Sequence, residues 1–125
     1  MEKISCICKM RELYKAITEL EDSLMEIYGI SLNEAMVMCS IGSRKVAAGE
    51  ISQITGFKSS HLSKVLRSIE DKGFLIRDFG DKDKRQIYFS LTTEAMQCME
   101  KLKCEGLPVP ELLSEFFACG HGEKM

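Results

Sequence analysis

The chain has 125 residues, of which 45% are hydrophobic, and its 17 Lys and Arg residues against 19 Asp and Glu residues give a formal net charge of −2. This length and hydrophobic fraction fit one domain covering residues 1–125, while the charge excludes a protein that coats nucleic acid through bulk attraction. No apolar run approaches the ~20 residues of a membrane-spanning helix, and the first residues do not form a secretion signal, so we expect a cytoplasmic protein without a membrane partner.

Two helices are predicted in the first third of the chain. The first covers residues 2–28, where apolar residues at helical spacing form one broad face that needs a packing partner: Ile4, Ile7, Leu13, Ile17, Leu20, Leu24 and Ile27. The second begins after Ser31, because Ser31 and Glu34 have the spacing of a capping box, in which each side chain binds the free backbone amide of the other residue. Its periodicity predicts burial of Ala35, Met38 and Cys39.

A helix-turn-helix motif is predicted over residues 51–72. Ile51 and Ile54 provide the apolar face of a short first helix, and Ser52 is small enough to let the next helix cross closely. Gly56 gives the backbone the freedom that a tight or left-handed turn requires. A helical pair of this kind is typical of proteins that read duplex DNA.

The second helix of the motif, over residues 59–72, has two distinct faces. Ser59 and Ser60 are expected to cap its first turn, and Lys72 followed by Gly73 is expected to end it. An apolar stripe faces the core through Leu62, Val65, Leu66 and Ile69, and the opposite face carries His61, Ser63, Lys64 and Arg67. Such a face can be merely solvated, but its position in the motif favours contact with DNA.

A β-hairpin is predicted over residues 74–91, because the apolar period changes there from helical to alternating. Residues 80–85 form its tip. Lys82 and Lys84 can neutralise phosphates, and the thin guanidinium of Arg85 can lie in a narrow minor groove. Asp83, two residues before Arg85, is expected to orient that side chain through a charge-assisted hydrogen bond.

Basic residues are concentrated where the motif places DNA. Residues 56–90 contain eight Lys or Arg and five Asp or Glu, a local charge of +3 that leaves the rest of the chain at −5. We therefore predict double-stranded DNA as the partner. The predicted contacts come from the turn, the second helix and the hairpin: Lys58, Ser59, Ser60, His61, Ser63, Lys64, Arg67, Lys82, Lys84 and Arg85.

The C-terminal segment is predicted to be helical over residues 92–103 and again over residues 110–119, with a bend between the two helices. The last helix begins with Pro110 in its first turn and is unusually apolar for three turns, carrying Leu112, Leu113, Phe116 and Phe117. Apolar side chains on so short a helix indicate docking. We expect a homodimer held by this helix and the first helix of the chain.

The sequence resembles the winged-helix regulators related to the multiple-antibiotic-resistance repressor, the MarR family. The resemblance lies in SSHLSKVLRSIEDKGFLIR at 59–77 and in DKRQIYFSLT at 83–92, where the family carries Asp-x-Arg in its wing and Leu-Thr before the next helix. It implies a mostly α-helical winged helix-turn-helix fold with a small β-hairpin wing and a helical dimerisation region. It also implies a homodimeric transcription factor, typically a repressor, whose recognition helices enter successive major grooves of a pseudo-palindrome.

The six cysteines are interpreted first as small hydrophobic residues, as is usual for free cysteines in a cytoplasmic chain. Two alternatives stay open, redox sensing and metal binding. The family resemblance would assign redox sensing to Cys6 or Cys8, which we place on the first helix. We predict no metal and no cofactor. The eight methionines are interpreted as core filler, with a pocket for a small-molecule effector as the alternative.

No phosphate-binding loop, paired-histidine motif or nucleophile elbow is present, so we do not expect an enzyme. The rival to a DNA-binding regulator is a winged-helix module for protein interaction, in which the same hydrophobic pattern survives without need of a basic tip. Loss of DNA binding as salt rises distinguishes the two, because phosphate contacts release counterions.

Overall fold

The computed structural model describes residues 1–80 and 85–118. Within these ranges the helices are α1 (Lys9–Tyr28), α2 (Leu32–Ile41), α3 (Ala48–Thr55), α4 (Ser59–Asp71), α5 (Thr93–Glu105) and α6 (Ser114–Ala118), the last preceded by a 3₁₀ turn (Glu111–Leu113). The strands are β1 (Val46–Ala47), β2 (Leu75–Phe79) and β3 (Ile87–Leu91). The predicted mostly helical fold with a small hairpin is confirmed. Among the described residues, no helix is long and apolar enough to cross a membrane.

The chain divides into two compact units. Ile30–Gly106 forms the larger one, in which α2, α3 and α4 pack together beside a three-stranded antiparallel sheet with the order β1-β3-β2. Its core combines the apolar stripes of three helices with the inward residues of the sheet: Ile30, Val37, Met38, Ile41, Val46, Ile51, Leu62, Val65, Leu66, Ile69, Leu75, Phe89, Leu91 and Ala95. The stripe predicted for the second helix of the motif is confirmed.

The smaller unit contains Met1–Gly29 and the segment that begins at Leu107. Leu113 of the 3₁₀ turn packs on Ala16 and Leu20 of α1, and these three side chains are buried. Four partly buried residues complete this cluster: Leu13, Ile17, Leu107 and Val109. A turn from the C-terminal segment therefore covers part of the apolar face of α1.

The first helix begins later than its apolar spacing predicts. It starts at Lys9 instead of residue 2, so Cys6 and Cys8 do not lie on a helix. Ile4 and Ile7 are 69% and 65% exposed, and the position that caps the helix is held by Cys8, whose side chain makes no capping bond. Without a cap or buried contacts, additional helical turns gain too little free energy to offset the loss of backbone freedom.

Three local expectations about the helices are wrong. Ile54 is exposed, so Ile51 alone is buried from α3. Cys39 is exposed as well, because the stripe of α2 passes through Val37 and Met38. The final helix is interrupted, since Pro110 precedes a 3₁₀ turn and α6 has five residues.

Candidate nucleic-acid interface

The turn between α3 and α4 is fixed by side-chain hydrogen bonds as well as by backbone conformation. Gly56 adopts φ +79°, the left-handed region that glycine tolerates without strain, and its amide donates to the carbonyl of Ser52. The Ser52 hydroxyl donates to the Phe57 carbonyl at 2.5 Å, and the Phe57 amide donates to Thr55 Oγ1 at 3.2 Å. The predicted turn is confirmed, and Ser52 also helps to close it.

Helix α4 exposes the face that the sequence analysis assigned to DNA. His61, Ser63, Lys64 and Arg67 are all exposed. The start of α4 differs from the prediction: Lys58 occupies the N-cap position, and no side chain makes a capping bond there. Ser59 and Ser60 lie inside the first helical turn and are exposed, so their hydroxyls are not used as caps.

The wing is a regular antiparallel hairpin up to the limit of the described residues. Its register runs from Leu75 opposite Leu91 to Phe79 opposite Ile87, and the Gly80 amide donates to the Gln86 carbonyl at 2.7 Å. The arms at 75–79 and 87–91 confirm the predicted hairpin. Arg85 is described and is exposed. Three predicted residues of the tip lie outside the described residues, namely Lys82, Asp83 and Lys84.

A cleft of about 690 Å³ separates the outward face of α4 from the hairpin. Four cationic side chains line it, Lys64 and Arg67 from α4, Arg77 from β2 and Arg85 from the tip side of β3. The remaining lining residues are small, polar or apolar: Ala48, Gly49, Ser60, Ser63, Leu66, Gln86, Ile87 and Phe89. An open cleft with this charge can receive a polyanion.

Arg77 is a cleft residue that the sequence analysis missed. Its Nε donates to Glu70 Oε2 at 2.9 Å, and its guanidinium lies 5.5 Å from the centre of the Phe89 ring. Alternation along β2 contains the signal, because Arg77 is two residues beyond the buried Leu75 and therefore shares its face of the sheet. An ion pair and a ring contact hold this cation beside α4.

His61 is exposed, but contacts within the protein orient its ring. The side-chain amide nitrogen of Asn33 lies 3.3 Å from His61 Nε2, and the Phe57 ring lies 4.6 Å away, centre to centre, at an angle of 37°. Asn33 belongs to the first turn of α2. These two contacts restrict the rotamers of His61. Its imidazole ring is therefore already oriented before a ligand binds to α4.

Five cysteines lie in the described residues, and all are free. Burial raises the pKa of the Cys98 thiol, and a hydrogen bond to Glu100 at 3.2 Å raises the pKa of the Cys104 thiol. A raised pKa lowers the thiolate fraction, which makes these two poor nucleophiles. Cys6 and Cys8 are exposed in the segment before α1. Within residues 1–80 and 85–118, no group of three or more side chains could hold a metal ion.

Comparison with known proteins relates the chain to regulators. The family model described as transcriptional regulator SarA/Rot matches residues 19–102, more than half of the chain. No curated protein matches the sequence significantly.

Solved structures share the fold. Wild-type MarR from E. coli, in its apo form, has a TM-score of 0.67 and 22% identity, with 91% of this chain and 84% of that chain covered. AbsC, a MarR family transcriptional regulator from Streptomyces coelicolor, has a TM-score of 0.69 and 18% identity, with coverages of 93% and 90%. MepR from S. aureus, in a complex with DNA, has a TM-score of 0.63 and 17% identity, with coverages of 77% and 80%. These matches confirm the winged helix-turn-helix fold that the resemblance implied.

Proposed function

Because the chain belongs to the SarA/Rot family of transcriptional regulators, we propose that it binds duplex DNA at a pseudo-palindromic site and represses transcription there. The observation that carries this proposal is the cationic cleft between α4 and the hairpin, which Lys64, Arg67, Arg77 and Arg85 line. The MepR structure of the same fold is a DNA complex, which supports the same use of the fold in this chain.

In this proposal α4 is the recognition helix and enters the major groove with its N-terminal half. Ser60 and His61 are the candidates for base contacts, because residues near the start of a recognition helix reach the base edges. Lys58, Ser59, Ser63, Lys64 and Arg67 contact phosphates or the groove edge. The hairpin then reaches the adjacent minor groove with Arg85, which Asp83 orients, while Lys82 and Lys84 contact phosphates.

The proposal is tested by DNA binding as a function of salt concentration. Selection of bound genomic fragments supplies the preferred duplex, and titrations then compare that duplex with one of mixed sequence. The logarithm of the association constant should fall linearly with the logarithm of the salt concentration, with a slope of about −0.9 for each phosphate contact. Absence of binding to any duplex at low salt would contradict the proposal and favour a protein-interaction module. Transcript levels with and without the protein test the sign of regulation.

Replacing Arg85 with alanine should weaken DNA binding by about 1–3 kcal/mol, because the variant loses a cation at the groove edge. If Arg85 neutralises a phosphate, the salt slope should also decrease in magnitude by about 1. Thermal stability should change little, since Arg85 is exposed. Titration of both duplexes measures the change in affinity.

The matched control for Arg85→Ala is Lys103→Ala. Lys103 is an exposed cation in the last turn of α5 and does not line the cleft. Both variants lower the net charge by one. A difference between their DNA affinities therefore reports the position of the lost cation and not the change in overall charge. If Arg85→Ala and the unaltered protein bind DNA with equal affinity, Arg85 is not part of the DNA interface.

Replacing Ser60 and His61 together should change which sequence the protein prefers. Both residues are exposed near the start of α4, where side chains reach base edges, so their loss should alter the ranking of selected sites. Lys64→Ala should instead lower affinity uniformly across sequences. Selection experiments with both variants measure the rankings. Recovery of the same site in the same order from the Ser60 and His61 variant contradicts direct readout by these residues.

We also propose that the protein is a homodimer that joins through the smaller unit. Apolar side chains before α1 and in the C-terminal segment of this unit are more than half exposed: Ile4, Ile7, Leu112, Phe116 and Phe117. Leu13, which the sequence also placed at the interface, packs inside the unit against the Leu113 cluster. Two-fold symmetry would present two copies of α4 to half-sites about one helical turn apart.

A further inference from the structure

Glu34 is the one charged side chain that is buried among the described residues, with 2% of its surface exposed. An ionised carboxylate in such a position is unfavourable unless it is paired and its oxygens accept hydrogen bonds. The surroundings of Glu34 supply these partners from two different helices. The arrangement goes beyond the capping box that the sequence predicts.

Each carboxylate oxygen of Glu34 has more than one donor. Oε1 accepts from the Ser31 amide at 2.7 Å and from Lys72 Nζ at 2.8 Å. Oε2 accepts from Lys72 Nζ at 2.8 Å and from the hydroxyl of Ser68. Ser31 and Glu34 belong to the start of α2, whereas Ser68 lies on α4 and Lys72 is its C-cap residue. We name these four residues the carboxylate junction.

Electrostatics keep the junction ionic at neutral pH. Burial by itself raises the pKa of Glu34, but hydrogen bonds from Lys72, Ser68 and the Ser31 amide outweigh burial and lower that pKa below its ordinary value. Lys72 has 34% of its side chain exposed, and its Nζ lies within hydrogen-bonding distance of both carboxylate oxygens. A cation near the C-terminus of α4 also interacts favourably with the helix dipole.

Capping α2 does not account for this geometry. A capping box needs Ser31 and Glu34 alone, and it works on an exposed helix end. The bonds to Ser68 and Lys72 instead join the first turn of α2 to the last turn of α4. Asn33, beside Glu34, lies 3.3 Å from His61 at the opposite end of α4. His61 and Ser68 are about 10 Å apart along the helix axis at 1.5 Å per residue.

Helix α4 is held near its start by Asn33 and near its end by Glu34. Because the two contacts are separated along the helix, α4 cannot tilt about one of them without breaking the other. We infer that Glu34 is a positioning residue, whose buried carboxylate fixes the orientation of α4 through Ser68 and Lys72 and so sets how deeply the N-terminal half of α4 enters the major groove. This inference rests on the proposed DNA-binding function. Side chains at the start of α4 lie farthest from the junction, so a small change in tilt there displaces them most. Base contacts require placement within about 0.5 Å and 10–20°.

Glu34→Gln is the direct test, because glutamine keeps the shape of the side chain but removes its charge. The preferred duplex should be bound about tenfold more weakly, a loss comparable to one badly formed base contact. Binding to a mixed-sequence duplex at the same salt concentration should be retained, since its phosphate contacts tolerate small shifts of the helix. The measured quantity is the ratio of the two affinities, together with the melting temperature of each variant.

Ser31→Ala is the matched control. It removes the hydroxyl that accepts from the Glu34 amide at 3.0 Å, so it weakens the cap of α2 and leaves the bonds to α4 in place. Ser31→Ala should therefore lower the melting temperature without changing the affinity ratio. If Ser31→Ala lowers the affinity ratio as much as Glu34→Gln does, general weakening of α2 is enough to explain the loss of preference. That outcome overturns the inference.

Lys72 provides a second route to the same test if Glu34→Gln fails to fold. Lys72→Met should lower the affinity ratio, whereas Lys72→Arg, which keeps a cation for Glu34, should preserve it. In the folded double variant, the effects of Glu34→Gln and Lys72→Met should not add, because both substitutions remove the same ion pair between Glu34 and Lys72. Unchanged ratios in folded Glu34→Gln or Lys72→Met would overturn the inference but leave the proposed function standing. Failure of the unaltered protein to bind any duplex would contradict the proposed function itself.

Discussion

Replacing Phe89 with alanine is expected to destabilise the folded protein by about 3–5 kcal/mol. Phe89 lies on β3, the central strand of the sheet, and 4% of its surface is exposed. Its backbone pairs with Val46 on one side and with Arg77 on the other. Truncation therefore leaves a cavity where the sheet meets the helical core. Since folded domains are typically stable by only about 5–15 kcal/mol, the change is large.

Phe79→Ala is the control for this substitution in the same hairpin. Phe79 is 68% exposed, so its truncation should change the free energy of unfolding by less than about 0.5 kcal/mol. Urea unfolding measures both variants, and the slope with denaturant should stay constant if only stability changes. A loss for Phe89→Ala as small as that expected for Phe79→Ala would mean that Phe89 is not part of the core on which the hairpin depends.

The unaltered protein is expected to be a homodimer at micromolar concentration, and Phe116→Ser with Phe117→Ser is expected to give a monomer. These two aromatic side chains are 70% and 53% exposed, so their replacement removes interface area without opening the core. The monomer should bind a duplex with two half-sites about 10²–10⁴-fold more weakly, because the second half-site is no longer bound within one assembly. Light scattering gives the mass, and titration gives the affinity.

Two controls separate dimerisation from damage to the DNA-binding unit. Affinity for a duplex with one half-site should be the same for the monomeric variant and the unaltered protein. Met36→Ser changes an exposed apolar residue of α2 in the other unit and should leave the mass unchanged. If the unaltered protein is monomeric and still binds the palindromic duplex tightly, two claims are contradicted: the proposed dimer interface, and the need for a dimer in tight binding to two half-sites.

The sequence predicts best those features that depend on neighbouring residues. The stripe of α4 repeats every three or four residues, and Ser31 and Glu34 form their capping box over three residues. Burial of Glu34 could not be predicted in the same way. Its partners Ser68 and Lys72 are 34 and 38 residues away, and local periodicity contains no information on which helix will cover a carboxylate.

The sequence also overestimates the length of the first helix, because apolar spacing does not show whether a side chain packs within its own chain or against another molecule. Ile4 and Ile7 continue the spacing of α1, yet they are exposed and precede the helix. Strand β1 has two residues, too few for alternation to be recognised. Arg77 was missed although alternation along β2 places it on the same face as the buried Leu75. The outward face of α4 needed no such knowledge, because its own buried stripe defines it.

The short strand β1 has a consequence for how this regulator can diversify. Val46 and Ala47 pair with Phe89 and Tyr88, and the chain passes from Ala47 directly into α3. The middle of β3 is thus anchored to the start of the helix-turn-helix through Phe89 and Tyr88. Changes nearer the tip than Phe79 and Ile87 do not alter any residue of the β1–β3 pairs. We therefore expect that the tip of the wing can change in length or charge while the link between the sheet and the start of α3 is kept.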